Sequence, residues 1–220
     1  MSVVPVTLLV VAKAPVPGWA KTRLAATVGD QVAAEFAAAA LLDTLDAVAA
    51  APVVARVVAF TGELEKAVDA DEIRSRLTSF TVIPQRGNSF ADRLANAHAD
   101  AADGYPVLQI GMDTPQVSAE LLVDCGRQLC ESPAVLGFAH DGGWWALGVR
   151  TPESAACLRD VPMSQPNTGI LTLKALNSNG IKVALLEELA DFDVIDDVPV
   201  VRESCQVSSR FARATRAAGL

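Results

Sequence analysis

The sequence has 220 residues, 51% of them hydrophobic, and a formal net charge of −8. This length and apolar content suit a folded chain with a sizeable core and exclude a disordered one. The acidic balance excludes a general nucleic-acid binder, which needs a basic face, yet allows a local cationic pocket that draws in one small anion.

The first residues, M-S-V-V-P-V-T-L-L-V-V-A-K, lack a basic leader and carry only a short apolar run. They read as a first strand rather than a signal peptide or membrane span. Val6 to Ala12 is continuously apolar, the pattern of a strand buried on both faces of a parallel sheet. A loop over 13–24 follows. Helical spacing runs from Asp30, an expected N-cap, to Ala50, with Pro52 beyond it. Residues 55–61 and 80–84 read as further strands, with a partly helical polar stretch between them. Phe90 to Ala102 reads as a helix, with His98 on its surface.

A strand over 106–111 leads into M-D-T-P, and Ser118 caps a helix to Glu131. Residues 134–139 and 144–149 flank H-D-G-G, giving two strands and a tight turn. Thr168 to Asn177 reads as a helix, 181–186 as a last strand and 198–217 as helical. Alternating strands and helices predict an α/β fold with a mainly parallel sheet, in one domain over 1–220. Four cysteines, at 125, 130, 157 and 205, include no C-x-x-C pair, which argues against zinc and fits reduced thiols in a cytoplasmic protein.

The loop K-A-P-V-P-G-W-A-K-T-R-L gathers Lys13, Lys21 and Arg23 around Pro15, Pro17 and Gly18. A loop between a strand's carboxyl end and a helix is a ready anion site in open α/β sheets. Lys21 and Arg23, two apart, point the same way if the segment is extended. Neither a P-loop nor a dinucleotide fingerprint is present, and a surface turn with solvated lysines accounts for the same letters.

This loop resembles the opening of a family of small bacterial transferases of the GT-A, or nucleotide-diphospho-sugar transferase, fold. Its K-T-R-L also resembles the phospholactate and phosphoenolpyruvate guanylyltransferases and, more distantly, the molybdenum-cofactor guanylyltransferase. Q-R-G-N-S-F-A-D-R-L (85–94), I-G-M-D-T-P (110–115) and F-A-H-D-G-G-W-W-A-L-G (138–148) continue the resemblance in order. Departures are Ser89, Ala91, Trp144 with Trp145, and Ile195 within D-V-I-D-D-V.

The resemblance implies a single-domain GT-A three-layer sandwich and a transferase using a nucleotide or nucleotide-sugar, with Mg²⁺ or Mn²⁺ and a small acceptor. Asp113, at a strand's carboxyl end, is placed to hold the metal, with Asp193 or Asp196 as a second carboxylate, although Asp-Thr-Pro also fits a turn or a helix cap before Pro115. Asp196 and Asp197 also fit a solvated charge pair. Lys13, Ala14, Gly18, Lys21 and Arg23 would cradle the nucleotide's phosphates, with Lys21 offsetting charge on the leaving group. Gln85 would read a base edge and Arg93 reach phosphate or ribose, although capping and surface charge explain both. His140, Asp141, Gly142, Gly143 and Trp144 would meet the acceptor, Asp141 orienting it or taking its proton. Asn167 fits an N-cap. No nucleic acid or membrane partner is expected.

Three functions fit these residues. Nucleotidyl transfer is favoured by the shared K-T-R-L and by the single Asp in Gly111-Met112-Asp113. Glycosyl transfer often uses an Asp-x-Asp pair. A nucleotide-binding module without catalysis would explain Ser89, Ala91 and Ile195.

Overall fold

The computed structural model describes residues 2–220. A seven-stranded sheet runs through it in the order β3-β2-β1-β4-β6-β5-β7. The strands are β1 (Val4–Lys13), β2 (Val53–Thr61), β3 (Thr81–Pro84), β4 (Val107–Gly111), β5 (Ala134–Phe138), β6 (Trp144–Val149) and β7 (Val183–Leu185). Only β6 runs against its neighbours, pairing antiparallel with β4 and β5, so the expected mainly parallel α/β sheet is present. The strands expected at 80–84, 106–111 and 134–139 are each a residue shorter, and the last spans three residues rather than 181–186.

The continuous apolar run of β1 reflects its place between β2 and β4, with both faces covered. Val4, Val6, Leu8, Val10 and Ala12 enter a core against α2 (Asp30–Ala50), α3 (Ala70–Leu77) and α5 (Ala119–Glu131). Leu9 and Val11 face the other way, against α4 (Phe90–Asp100), the 3-10 segment Pro152–Asp160 and α6 (Thr168–Ser178). A third cluster joins the outer face of α2 to α1 (Thr22–Val28), α7 (Asp197–Ser204) and α8 (Arg210–Ala217). Small alanines on α2 let it bury residues against the sheet on one side and against Phe211 of α8 on the other.

Several local expectations change. Asp30 is the first helical residue rather than the cap, which is Gly29 at φ 86°. The loop expected over 13–24 ends early, because Thr22 begins α1. The helical tract at 198–217 is two helices; Ser209 caps the second by accepting from the Ala212 amide. Ser118 caps α5 as expected, accepting from the Leu121 amide. Asn167 precedes α6 without a side-chain cap bond.

His98, expected on the surface, is completely buried, and neither ring nitrogen has a partner among the described residues. Burial lowers its pKa from 6.5 to about 3. The unfolded chain therefore binds a proton that the fold refuses. The associated stability is complete above pH 6.5 and is lost as pH falls towards about 3. His98→Leu is expected to flatten the fall in unfolding free energy between about pH 6 and 4, measured by urea denaturation across pH. An unchanged slope would show that other groups set the acid sensitivity.

Candidate active site

The carboxyl ends of β1, β2 and β4 and the amino end of β6 open on a cavity of about 560 Å³. This is where ligands enter open α/β sheets. Its rim brings together the loop after β1, Asp113 after β4, Asp141 before β6, and Asp191 and Asp193 before α7.

Lys21 ties these regions together. Its Nζ lies 2.8 Å from Asp113 Oδ2 and 3.4 Å from Asp193 Oδ1, and also donates to the Phe192 carbonyl. The ammonium stands 4.3 Å from the centre of the Phe192 ring. Burial alone would lower the Lys21 pKa, but Asp113, Asp193 and then Asp191 outweigh it and hold the value above the ordinary 10.5. Lys21 is also the left-handed N-cap of α1, at φ 49° and ψ 47°. For a residue with a Cβ this backbone costs about 1–3 kcal/mol and needs support from its surroundings. The charge contacts and the Ala25 amide bond to the Lys21 carbonyl supply that support.

Arg23 is exposed and ion-pairs with Asp193 Oδ2 at 2.8 Å. Lys21 and Arg23 therefore converge on one carboxylate from a helix start, not from an extended segment. Asp193 is itself oriented by Asp197, whose Oδ2 accepts from the amides of Asp193 and Val194 at 2.8 and 2.9 Å. Asp196, an expected metal ligand, is exposed at the start of α7 and does not line the cavity.

Asp191 was missed by sequence reasoning. Burial first, and then the Asp141 carboxylate, push its pKa up to about 7, against the pull of Lys21. Its signal was present in D-F-D: alternation sends Asp191 and Asp193 to the cavity while Phe192 packs on Phe211, ring centres 4.6 Å apart.

Of the other expected residues, Lys13 lines the cavity and donates from Nζ to the Trp19 carbonyl at 2.5 Å. Ala14 is buried in the turn, its amide donating to Thr61, and Gly18 holds φ 77°. Gln85 lines the cavity, but Nε2 donates to the Ala12 and Ala59 carbonyls, both at 2.9 Å. Its carbonyl oxygen is thus what remains for a ligand. Arg93 lines the wall with its guanidinium 5.6 Å from the Phe90 ring centre and Nε buried without a partner among the described residues.

Asp141 and Gly143 line the cavity, with Asp141 Oδ1 accepting from the Gly143 amide at 2.7 Å. Gly142 sits at φ 86°, where an added Cβ would overlap the Pro166 carbonyl, so the turn rests directly on the loop before α6. Trp144 is half-buried on the cavity side; Trp145 is core, its Nε1 donating to the Glu187 carbonyl. His140 is exposed, only its backbone amide being engaged, by Leu189, and it does not line the cavity.

The anionic groups on the rim are all carboxylates, oxygen ligands of the kind that suits a hard dication such as Mg²⁺ or Mn²⁺. Among the described residues no group of three His, Cys, Asp or Glu side chains is placed to hold a metal unaided. Asp113 and Asp193 would supply one or two oxygens and substrate phosphates and waters the rest.

As a solvated cation, Lys21 would be dispensable for stability, but its side chain is only 7% exposed. Lys21→Met is expected to lower stability by about 1–3 kcal/mol, short of the roughly 3–5 kcal/mol of a fully buried pair because the carboxylates remain partly solvated. Thermal or urea denaturation measures it; a variant as stable as the wild type would show that the carboxylates do not need this cation.

Comparison with known proteins agrees on the fold. A structure described as a putative nucleotide-diphospho-sugar transferase from Desulfovibrio desulfuricans G20 superposes with a TM-score of 0.85 at 22% identity, covering 99% of this chain and 95% of that one. A cytidylyltransferase from Leptospira borgpetersenii matches at 0.58 and 14% identity, over 96% and 92%. A Mycobacterium tuberculosis H37Rv protein, Rv0371C, solved as a complex with manganese, matches at 0.56 and 20%, over 91% and 99%. The fold is thus the expected GT-A type. No curated protein matches the chain. Residues 44–165, more than half of the sequence, match a bacterial protein family, and the chain belongs to it: the family described as "Uncharacterized protein conserved in bacteria (DUF2064)".

Proposed function

We propose that the protein is a nucleotide-dependent transferase acting with a divalent cation, and that it transfers a nucleotidyl group to a small acceptor. The observation that carries this reading is the rim itself. Lys13 and Arg23 line one cavity with Asp113, Asp191 and Asp193, while Lys21, which does not line it, pairs with Asp113 and Asp193 from behind. Alternating anions and cations at the carboxyl ends of parallel strands suit a polyphosphate bound with a metal. Solved relatives of the same fold are described as a cytidylyltransferase and as a manganese complex, in keeping with that chemistry. A cytoplasmic location and a single catalytic domain belong to the same reading.

In nucleotidyl transfer an oxygen of the acceptor attacks the α-phosphorus. The bond from that phosphorus to the bridging oxygen breaks, and pyrophosphate leaves with the electron pair. A metal supplies charge neutralisation and orientation of the phosphates. Arg23, which lines the cavity beside Asp193, would meet the phosphates, while Lys21, buried behind Asp113 and Asp193, holds those carboxylates where a cation would bind. Asp141, exposed at the opposite wall and steadied by the Gly143 amide, orients a hydroxyl acceptor and takes its proton.

Glycosyl transfer is the second reading, and Asp191-Phe192-Asp193 favours it: the paired carboxylates absent from 111–113 line the cavity here. Pyrophosphate among the products separates the first reading from the second, which releases a nucleoside diphosphate. A module without catalysis gains less. Ser89 accepts from the Asp92 amide as the cap of α4, Ala91 is core, and Ile195 packs against the third cluster, so each departure has a structural reason.

Asp113→Asn keeps the side chain's shape and removes the anionic oxygen that a hard dication needs. Turnover is expected to fall about 100-fold or more. Titration with ATP, GTP, CTP and UTP should show Mg²⁺ enhancing binding in the wild type and much less in the variant, with little difference in EDTA. Equal enhancement in both proteins would place the metal away from Asp113.

A further inference from the structure

Strand β4 carries one residue that its position does not explain. Leu108 and Ile110 enter the core on one face, while Val107 and Gln109 face the other. Gln109 sits in register between Leu9 of β1 and Leu147 of β6, both core residues. An aliphatic side chain is what packing asks for there. The Gln109 side chain is instead an amide, 2% exposed, and its Oε1 is buried without a partner among the described residues. Leaving such a group unpaired costs stability, and unlike His98, which is also unpaired, this one lies on the wall of the cavity.

Gln109 forms part of the cavity wall, with Leu94, Trp144 and Met163. It lies four residues before Asp113, beneath the carboxylate rim, so what reaches it is a flank of the bound molecule and not the reacting phosphate. Apolar walls around an unpaired amide suit a neutral group that presents a donor and an acceptor side by side.

We propose that Gln109 sets the substrate specificity of this cavity, its amide pairing with a neutral polar edge of the substrate. The edge is either the amide-like edge of a nucleobase or adjacent hydroxyls of a sugar. The proposal rests on reading the cavity as a nucleotide-transferase site. An amide on that edge rejects analogues that lack the matching groups, because they leave it unpaired on both sides.

Two shape-preserving variants, Gln109→Met and Gln109→Leu, test it. Without ligand, both are expected to melt about 2–4 °C higher than the wild type, since each removes an unpaired buried amide. A lower melting temperature in both would mean that the amide is held by partners inside the fold and would overturn the proposal. Binding is then titrated in Mg²⁺ with ATP, GTP, CTP and UTP, and with UDP-glucose against UDP and GDP-mannose against GDP.

If a base reaches Gln109, affinity for that nucleotide should fall about tenfold in Gln109→Met. If a sugar does, nucleotide affinity should hold while the advantage of the nucleotide-sugar over its diphosphate is lost. Affinities and ratios all unchanged within about twofold, in a wild type that does bind, would overturn the role of Gln109 alone. Failure of the wild type to bind anything in the panel would instead overturn the transferase reading, and the ligand class proposed here with it.

Discussion

One buried ammonium holds the rim of the cavity together. Lys21 meets Asp113 from the end of β4 and Asp193 from the segment before α7, at 2.8 and 3.4 Å. Three stretches far apart in sequence therefore share a single charge. The contact makes the left-handed backbone at Lys21 tolerable and so fixes where α1 begins. It also keeps Asp113 and Asp193 close despite their mutual repulsion. Without it, a cluster that includes Asp141 and Asp191 would carry only anions near its centre, apart from the more exposed Arg23.

The sheet explains why the cluster sits at this point. β1, β2 and β4 run parallel and end together, while β6 returns between β4 and β5. The reversal brings the Asp141 turn to the same edge as the carboxyl ends of its neighbours. Gly142 lets that turn rest against Pro166, and the loop before α6 closes the far wall. Phe192, buried against Phe211, anchors the last contributor.

Much of this was legible beforehand, for physical reasons. The apolar run at Val6–Ala12 identified a central strand because only strands covered on both faces dispense with alternation. The place of Asp113 on the cavity was legible because a residue directly after a buried parallel strand falls at the sheet's carboxyl edge. What escaped was tertiary. Lys21 and Arg23 read as free cations because nothing local shows that Asp193 folds back onto them. Asp191 was hidden in the sequence by the acidic run after it, and Asp196, within that run, is solvent-facing. His98 read as surface because an alanine-rich helix gives little contrast between its faces. Gln109 left no mark because one polar letter in an apolar strand is unremarkable until its partners are counted.

Lys21 and Asp193 should be coupled energetically, and not merely neighbours. A double-mutant cycle on urea unfolding measures this most directly, using Lys21→Met, Asp193→Asn and the pair. A favourable coupling energy of about 0.5–3 kcal/mol is expected, the double variant losing clearly less than the sum of the single losses. Strict additivity of the two losses would contradict the account, leaving the rim to be held by packing alone.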